Sequence, residues 1–269
     1  MNLQEKSDMS SAESETEFKI PEKMYRKFPE KSRQLRDSIV QFIDPKIGET
    51  IVDVGTGAGF LAIALAEKVG IDGKVIGLDV SKSAIRQARL KAVQRNLGQI
   101  LEFRIGNVYN LSLEDNFADA VCCKSLISCL NDRQKAIKEM SRITKYGGRV
   151  VVAEPGELVG LPSQIKEAFY KARKCSLLGK TKIRNLFQKA KLKNIEIVVS
   201  EPPLVTDVSL FEWATKNLFG QTSLWQLVIE GGIREGQVHI IHKEMLKQIK
   251  TKGLKFGTGA IFCKGIKVP

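Results

Sequence analysis

At 269 residues, 43% hydrophobic and 27% charged, the chain is long enough to bury a full core as one large domain or a domain plus a cap. No apolar run approaches the roughly 20 residues that cross a bilayer, which excludes a transmembrane segment. The formal charge of +13 asks for an anionic partner or for well-solvated basic helix faces.

Residues 1–18, MNLQEKSDMSSAESETEF, are polar and acidic with no apolar h-region, so a disordered tail without a secretory signal is expected. The five cysteines have no paired spacing, which fits a reducing, cytoplasmic setting. Residues 19–43 read as one or two short helices leading into the main domain. From there the apolar runs TIVDV (50–54), KVIGLDV (74–80), LEFRI (101–105), DAVCC (119–123) and RVVVAE (149–154) are short and β-branched. That is the pattern of strands buried on both faces of a parallel sheet. Between them, SKSAIRQARLKAVQRNLG starts at a Ser cap and is expected to end at Gly98, while NDRQKAIKEMSRITKYGG opens on Asn131 and Asp132. Such alternation implies βαβ units and a doubly wound sheet.

After Pro155 the pattern loosens. Ile165, Ala168, Phe169 and Ala172 mark one apolar helix stripe, and Ile183, Leu186, Phe187 and Ala190 another. NIEIVVSE (194–201) reads as a sixth strand and GTGAIFCKGIKV (257–268) as a closing one. Residues 206–254 between them are mostly helical in pattern. The expected division is therefore a core domain of residues 19–205 and 255–269, with 206–254 inserted as a helical cap. Between Lys166 and Lys193 stand ten Lys or Arg against one acid, Glu167. They form either solvated helix faces or a surface for nucleic acid, anionic lipid (a peripheral membrane contact) or an acidic substrate.

The stretch VDVGTGAGF runs from the first strand into a helix and carries the chemistry. Gly55 and Gly57 fit the dinucleotide fingerprint G-x-G-x-x-G, but the third glycine falls one residue early, at Gly59, with Phe60 in its place. Asp53 sits two residues before Gly55. A carboxylate aimed at the turn would repel a pyrophosphate, which wants bare N–H groups at a helix N-terminus. It suits a cofactor presenting an ammonium or a sulfonium.

The pattern D-x-G-x-G-x-G after a strand resembles motif I of the class I S-adenosylmethionine-dependent methyltransferases, over roughly residues 45–155. The resemblance implies a Rossmann-like, doubly wound, seven-stranded, mostly parallel sheet and S-adenosyl-L-methionine as cofactor. It places the methionine end of the cofactor at Asp53, Gly55, Thr56, Gly57 and Gly59. The ribose falls to Asp79 and Val80 at the end of the second strand, and the adenine to Asn107 and Val108. Lys124, Ser125 and Leu126 form the floor next to the methyl group. YGGRVVVAEP matches the Gly-Gly turn into the family's fifth strand.

Methyl transfer from a sulfonium is an in-line displacement, dominated by positioning and desolvation, so no obligatory triad is expected. Weak catalytic candidates are Tyr25 as a flap residue, Glu154 facing the acceptor, and His239 or His242 in the cap. The histidine pair has i, i+3 spacing, but without HExxH or a nearby third ligand no metal is expected. The loop after the fourth strand, CCKSLISC, lacks the Asn/Asp-Pro-Pro-aromatic motif of adenine amino-methyltransferases; EPPL (201–204) follows the sixth strand instead. Cys122 and Cys123 lack the preceding Pro of cytosine-C5 enzymes and read as core residues. No cysteine precedes motif I, which ranks arsenite methylation low. In the cap, Phe211, Trp213, Leu218, Phe219, Leu224, Trp225 and Leu227 suggest a lid over an apolar acceptor. An SLFEW-like helix there is loosely similar to the methyltransferases around ubiquinone and menaquinone biosynthesis. The expected function is methyl transfer to a small apolar or aromatic acceptor. The alternatives are an RNA methyltransferase using the basic surface and a non-catalytic S-adenosylmethionine-binding protein.

Overall fold

The computed structural model describes residues 29–173, 177–201, 204–217 and 223–269. The expected acidic tail, Tyr25, Cys175, Leu218 and Phe219 lie outside the described residues. Helix α1 (Pro29–Ile43) leads into β1 (Thr50–Val54), α2 (Phe60–Val69), β2 (Lys74–Asp79), α3 (Lys82–Gln94) and β3 (Leu101–Ile105). β4 (Ala118–Lys124), a 3-10 turn (Ile127–Cys129), α4 (Arg133–Ile143) and β5 (Thr144–Val159) follow. α5 (Ser163–Arg173), α6 (Lys180–Lys189), β6 (Leu192–Ser200) and β7 (Leu204–Val205) come next. The chain then runs through α7 (Val208–Asn217), α8 (Leu224–Glu230), α9 (Glu235–Lys252), β8 (Leu254–Lys255) and β9 (Gly257–Lys267).

Seven strands form one sheet in the order β3-β2-β1-β4-β5-β9-β6. β1 through β5 pair in parallel, and β9 enters antiparallel between β5 and β6. The strand order reverses beside β1, and ligands of open α/β sheets bind outside the carboxyl ends of the strands at such a point. The expected sheet is thus observed, with the late strand inserted next to β5.

The strand sequences dictate two buried faces. Alternate residues of β1, Ile51 against Val52 and Val54, enter separate apolar clusters above and below the sheet. On one face α1, α2 and α3 supply Ile39, Ile43, Leu65, Ile85 and Ala88. On the other, α4 and α6 supply Ile137, Met140, Ile183 and Phe187. Ser81 caps α3 by accepting the N–H of Ala84, and Asp132 caps α4 by accepting that of Lys135. α3 ends at Gln94, before the expected Gly98, because Asn96 takes the left-handed turn at φ 56°. Arg149 fixes α1 to the sheet by donating to the Ile43 carbonyl at 2.5 Å and pairing with Glu49 at 2.6 Å.

A third apolar cluster joins Phe211, Leu224, Val228, Met245 and Phe256 to Ile165 and Phe169 of α5. The cap helices therefore pack with α5, a helix within the expected core span 19–205. β7 and β8 pair Leu204 with Lys255 and Val205 with Leu254, pinning the two ends of the inserted helices together. The cap helices follow the carboxyl end of β6, which runs parallel to β5.

Phe211 is fully buried at the centre of this cluster, with its ring 4.7 Å from Phe256 and 5.9 Å from His242. Phe211→Ala should cost about 3–5 kcal/mol in urea unfolding. Amide exchange should quicken across α7–α9 and leave β1, β2 and β4 protected. Uniform quickening would contradict a cap with its own packing.

Candidate functional site

The glycine turn is stitched to the tip of β2. The Leu78 carbonyl accepts the N–H groups of Gly55 and Thr56 at 2.7 and 2.9 Å. The Asp79 carboxylate accepts the N–H of Gly57 through Oδ2 at 2.8 Å and that of Ser81 through Oδ1 at 2.9 Å. Gly59 turns the chain into α2 at φ 79°, where a Cβ would lie 2.6 Å from the Phe103 ring. Both the backbone conformation and the close approach of Phe103 require glycine there. A Cβ at Gly57 would meet nothing within 4 Å, so the space beside the turn is open.

Asp53 does not stand in that opening. It is 1% exposed and tucked beneath the turn, where Oδ2 accepts the Thr56 hydroxyl at 2.7 Å and Oδ1 faces the Cys122 thiol at 3.9 Å. Burial pushes its pKa up to about 7, against the pull of the Thr56 hydrogen bond and of the Lys124 charge. When ionised, its charge therefore acts through the turn as a field, and its side chain sets the position of Thr56.

Glu154, considered as an acceptor-facing group, is 2% exposed and serves the loop after β4. Oε1 accepts the N–H groups of Leu126 and Ile127, each at 2.8 Å, and Oε2 accepts that of Ser128 at 3.2 Å. Burial raises its pKa, and these donors hold it down. Ser125 begins this loop with φ 53°, a conformation that costs a non-glycine residue energy and marks a constrained position. Leu126 closes the gap toward the turn, within 3.1 Å of where a Gly55 Cβ would sit. Lys124, at the end of β4, is half-buried.

Asn107 follows β3, and its Oδ1 accepts the N–H of Tyr109 at 2.9 Å, keeping a second lone pair for a ligand. Val108 is buried, whereas Val80 at the end of β2 is 58% exposed. Ile105, at the end of β3, is 56% exposed and went unmarked in the sequence because it completes an ordinary strand pattern. Its signal is an apolar side chain left in the open at the carboxyl edge.

His239 is exposed on α9, while His242 packs into the aromatic cluster with its ring 5.1 Å from Trp225. The two histidines thus occupy different surroundings. Cys122 and Cys123 are buried in β4, and burial pushes both thiols up. A shallow groove of about 640 Å³ lies apart from the turn, lined by Arg104, Asn110 and Arg142 among others. Its two arginines are already paired with Glu102, Glu139 and Asp115.

A family model described as a methyltransferase domain matches residues 45–195. The demethylmenaquinone methyltransferase of Oceanobacillus iheyensis is 34% identical over 143 residues, covering 52% of this chain and 58% of that protein. The arsenite methyltransferase of Halobacterium salinarum is 31% identical over 119 residues, covering 44% of this chain and 30% of that protein. The matched parts thus span well under two thirds of these relatives. A structure of Haemonchus contortus phosphoethanolamine N-methyltransferase 2 with S-adenosyl-L-methionine shares the fold, with a TM-score of 0.59 and 19% identity over 88% of this chain and 53% of that one. The chain belongs to the methyltransferase-domain family, the class I S-adenosylmethionine-dependent methyltransferases.

Glu154→Gln offers the loop one oxygen and an NH₂ that opposes the loop's own N–H groups. It should cost about 1–3 kcal/mol in denaturant unfolding. An unchanged midpoint would show that the loop does not depend on this carboxylate.

Proposed function

We propose that this methyltransferase-family protein binds S-adenosyl-L-methionine at the glycine turn and methylates a small apolar or aromatic acceptor sheltered by the cap. The observation that carries the reading is Asp79, whose two oxygens clamp Gly57 and Ser81 and keep lone pairs on the open side for a pair of ribose hydroxyls. The residues fit a nucleoside with a cationic tail. Gly57 leaves space beside the turn, and Val80 and Ile105 offer exposed apolar surface. Asn107 has an oxygen for an amino group, and Asp53 places a desolvated negative charge below.

When bound, S-adenosyl-L-methionine supplies an electrophilic methyl carbon on a sulfonium. The chain's part is to orient and to exclude water. Gly55, Thr56, Gly57 and Gly59 shape the cradle, Asp53 favours positive charge over it, and Asn107 with Val108 border the base. Leu126, held by Glu154, forms the floor beside the acceptor. The apolar cap cluster removes water, which strengthens every charge interaction inside. A small lipophilic acceptor agrees with the aromatic cluster of Phe211, Trp225, His242 and Phe256, and with the demethylmenaquinone methyltransferases among the relatives. One feature favours a second reading. Lys180, Lys182, Lys189, Lys191 and Lys193 are all exposed along α6 and the start of β6, a surface suited to RNA.

With methyl-labelled cofactor, label should pass to a hydroxylated naphthoquinone or a similar aromatic and not to RNA. Asp79→Ala should weaken cofactor binding about 10- to 100-fold, as expected for lost charge-assisted hydrogen bonds. Label entering RNA, with affinity falling steeply in salt, would favour the second reading; cofactor binding without label transfer to any acceptor would leave a non-catalytic binder.

Asp53 supplies a pH dependence. Its folded pKa of about 7 means that the proton leaves as pH rises through neutrality. A cationic ligand beside it favours the ionised form, so cofactor affinity should rise between about pH 6 and about pH 8. Asp53→Asn should flatten that rise in calorimetric titrations. An equal slope in wild type and variant would remove Asp53 from the account.

A further inference from the structure

Trp225 carries a polar group that the cap itself does not use. It stands in the first turn of α8, with its ring 6.4 Å from Phe211 of α7 and 5.1 Å from His242 of α9. Its Nε1 is shut off from solvent and finds no hydrogen-bond acceptor among the described residues. An indole has only this one polar atom, a donor, and Trp N–H groups usually meet a partner when buried. A buried donor left unpaired loses its hydration with nothing in return.

Other polar groups around the cluster are engaged. The Thr215 hydroxyl donates to the Glu212 carbonyl at 3.0 Å, and the Tyr170 hydroxyl accepts the Leu158 N–H at 2.9 Å. Gln134 also has a buried oxygen without a donor, but its NH₂ donates to the Leu186 carbonyl and ties α4 to α6. That amide has a structural use. The Trp225 nitrogen has none within the cap.

The surroundings restrict what could meet this N–H. The cluster is built of apolar side chains, among them Phe211, Val228, Met245 and Phe256. It includes Leu158 and Leu161 from the carboxyl end of β5, the side of the sheet where ligands bind. A charged ligand would be desolvated there without a counter-charge. A water would need roughly two to four polar partners, which phenylalanine rings do not supply. A neutral oxygen on a flat apolar molecule meets both conditions, packing its ring on aromatic faces while a lone pair receives the N–H.

We infer that Trp225 is a binding residue for the methyl acceptor, its indole N–H donating to a carbonyl oxygen on an aromatic acceptor. The inference rests on the acceptor reading above and names the acceptor's polar atom.

The test titrates two neutral probes of equal shape, 2-acetylnaphthalene and 2-ethylnaphthalene, which differ in the carbonyl, in the presence of S-adenosylhomocysteine. Trp225→Phe removes the N–H and keeps an aromatic ring. It should weaken the ketone about three- to tenfold, the worth of one neutral hydrogen bond, and leave the hydrocarbon within about twofold. If Trp225→Phe does not fold, wild type labelled with nitrogen-15 at its two tryptophans carries the comparison. The Trp225 indole signal, identified with Trp213→Phe, should move downfield with the ketone and not with the hydrocarbon. Unchanged ketone affinity in the variant, equal losses for both probes, or an indole signal indifferent to the carbonyl would overturn the inference. Wild type binding neither probe would overturn the apolar-acceptor reading itself, and this inference with it.

Discussion

Three amide hydrogens of the glycine turn end on the tip of β2, two on the Leu78 carbonyl and one on the Asp79 carboxylate. This stitch fixes the exits of β1 and β2 against each other at the point where the strand order reverses. It depends on glycine at residue 59, since the left-handed backbone and the Phe103 ring leave no place for a Cβ. Each Asp79 oxygen accepts one amide and keeps a second lone pair. The cradle is therefore a consequence of backbone geometry before any ligand is considered.

Charge is arranged around that cradle with little waste. Asp53 lies below the turn, desolvated and tied to Thr56, and projects a field rather than a hydrogen bond. Glu154 sits below the neighbouring loop and gathers three amides, which orders that loop and engages both of its oxygens. The charges of both acids act on Lys124, at the end of β4. Both acids are buried, so their charges act in low dielectric, where electrostatic interactions are strong.

Much of this was legible in the sequence because strands and turns leave local signatures. The five parallel strands, the Ser81 and Asp132 caps, the early third glycine and the two acids at residues 53 and 79 all follow from short-range patterns. Direction and layer do not. Asp53 reads as an acid aimed at a ligand, yet one turn of α2 and Thr56 enclose it. Glu154 reads as a site carboxylate, yet a loop 26 to 28 residues earlier claims both of its oxygens. The stripe on α5 looks the same whether it packs on the sheet or on the cap, and only the tertiary arrangement sends it to the cap. Ile105 looks like core because nothing local says that the sheet edge leaves it bare. Asn96 displaced Gly98 as the end of α3 because asparagine also tolerates the left-handed region.

The central claim is that one cradle, built from the glycine turn and Asp79, holds a sulfonium nucleoside next to an apolar acceptor chamber. A crystal structure with S-adenosylhomocysteine tests it most directly. The account predicts ribose hydroxyls on Asp79, the sulfur beside the Leu126 loop, and a closed apolar cavity between that sulfur and the cap. A ligand seated elsewhere, or a sulfur opening onto a wide basic groove toward α6, would contradict it.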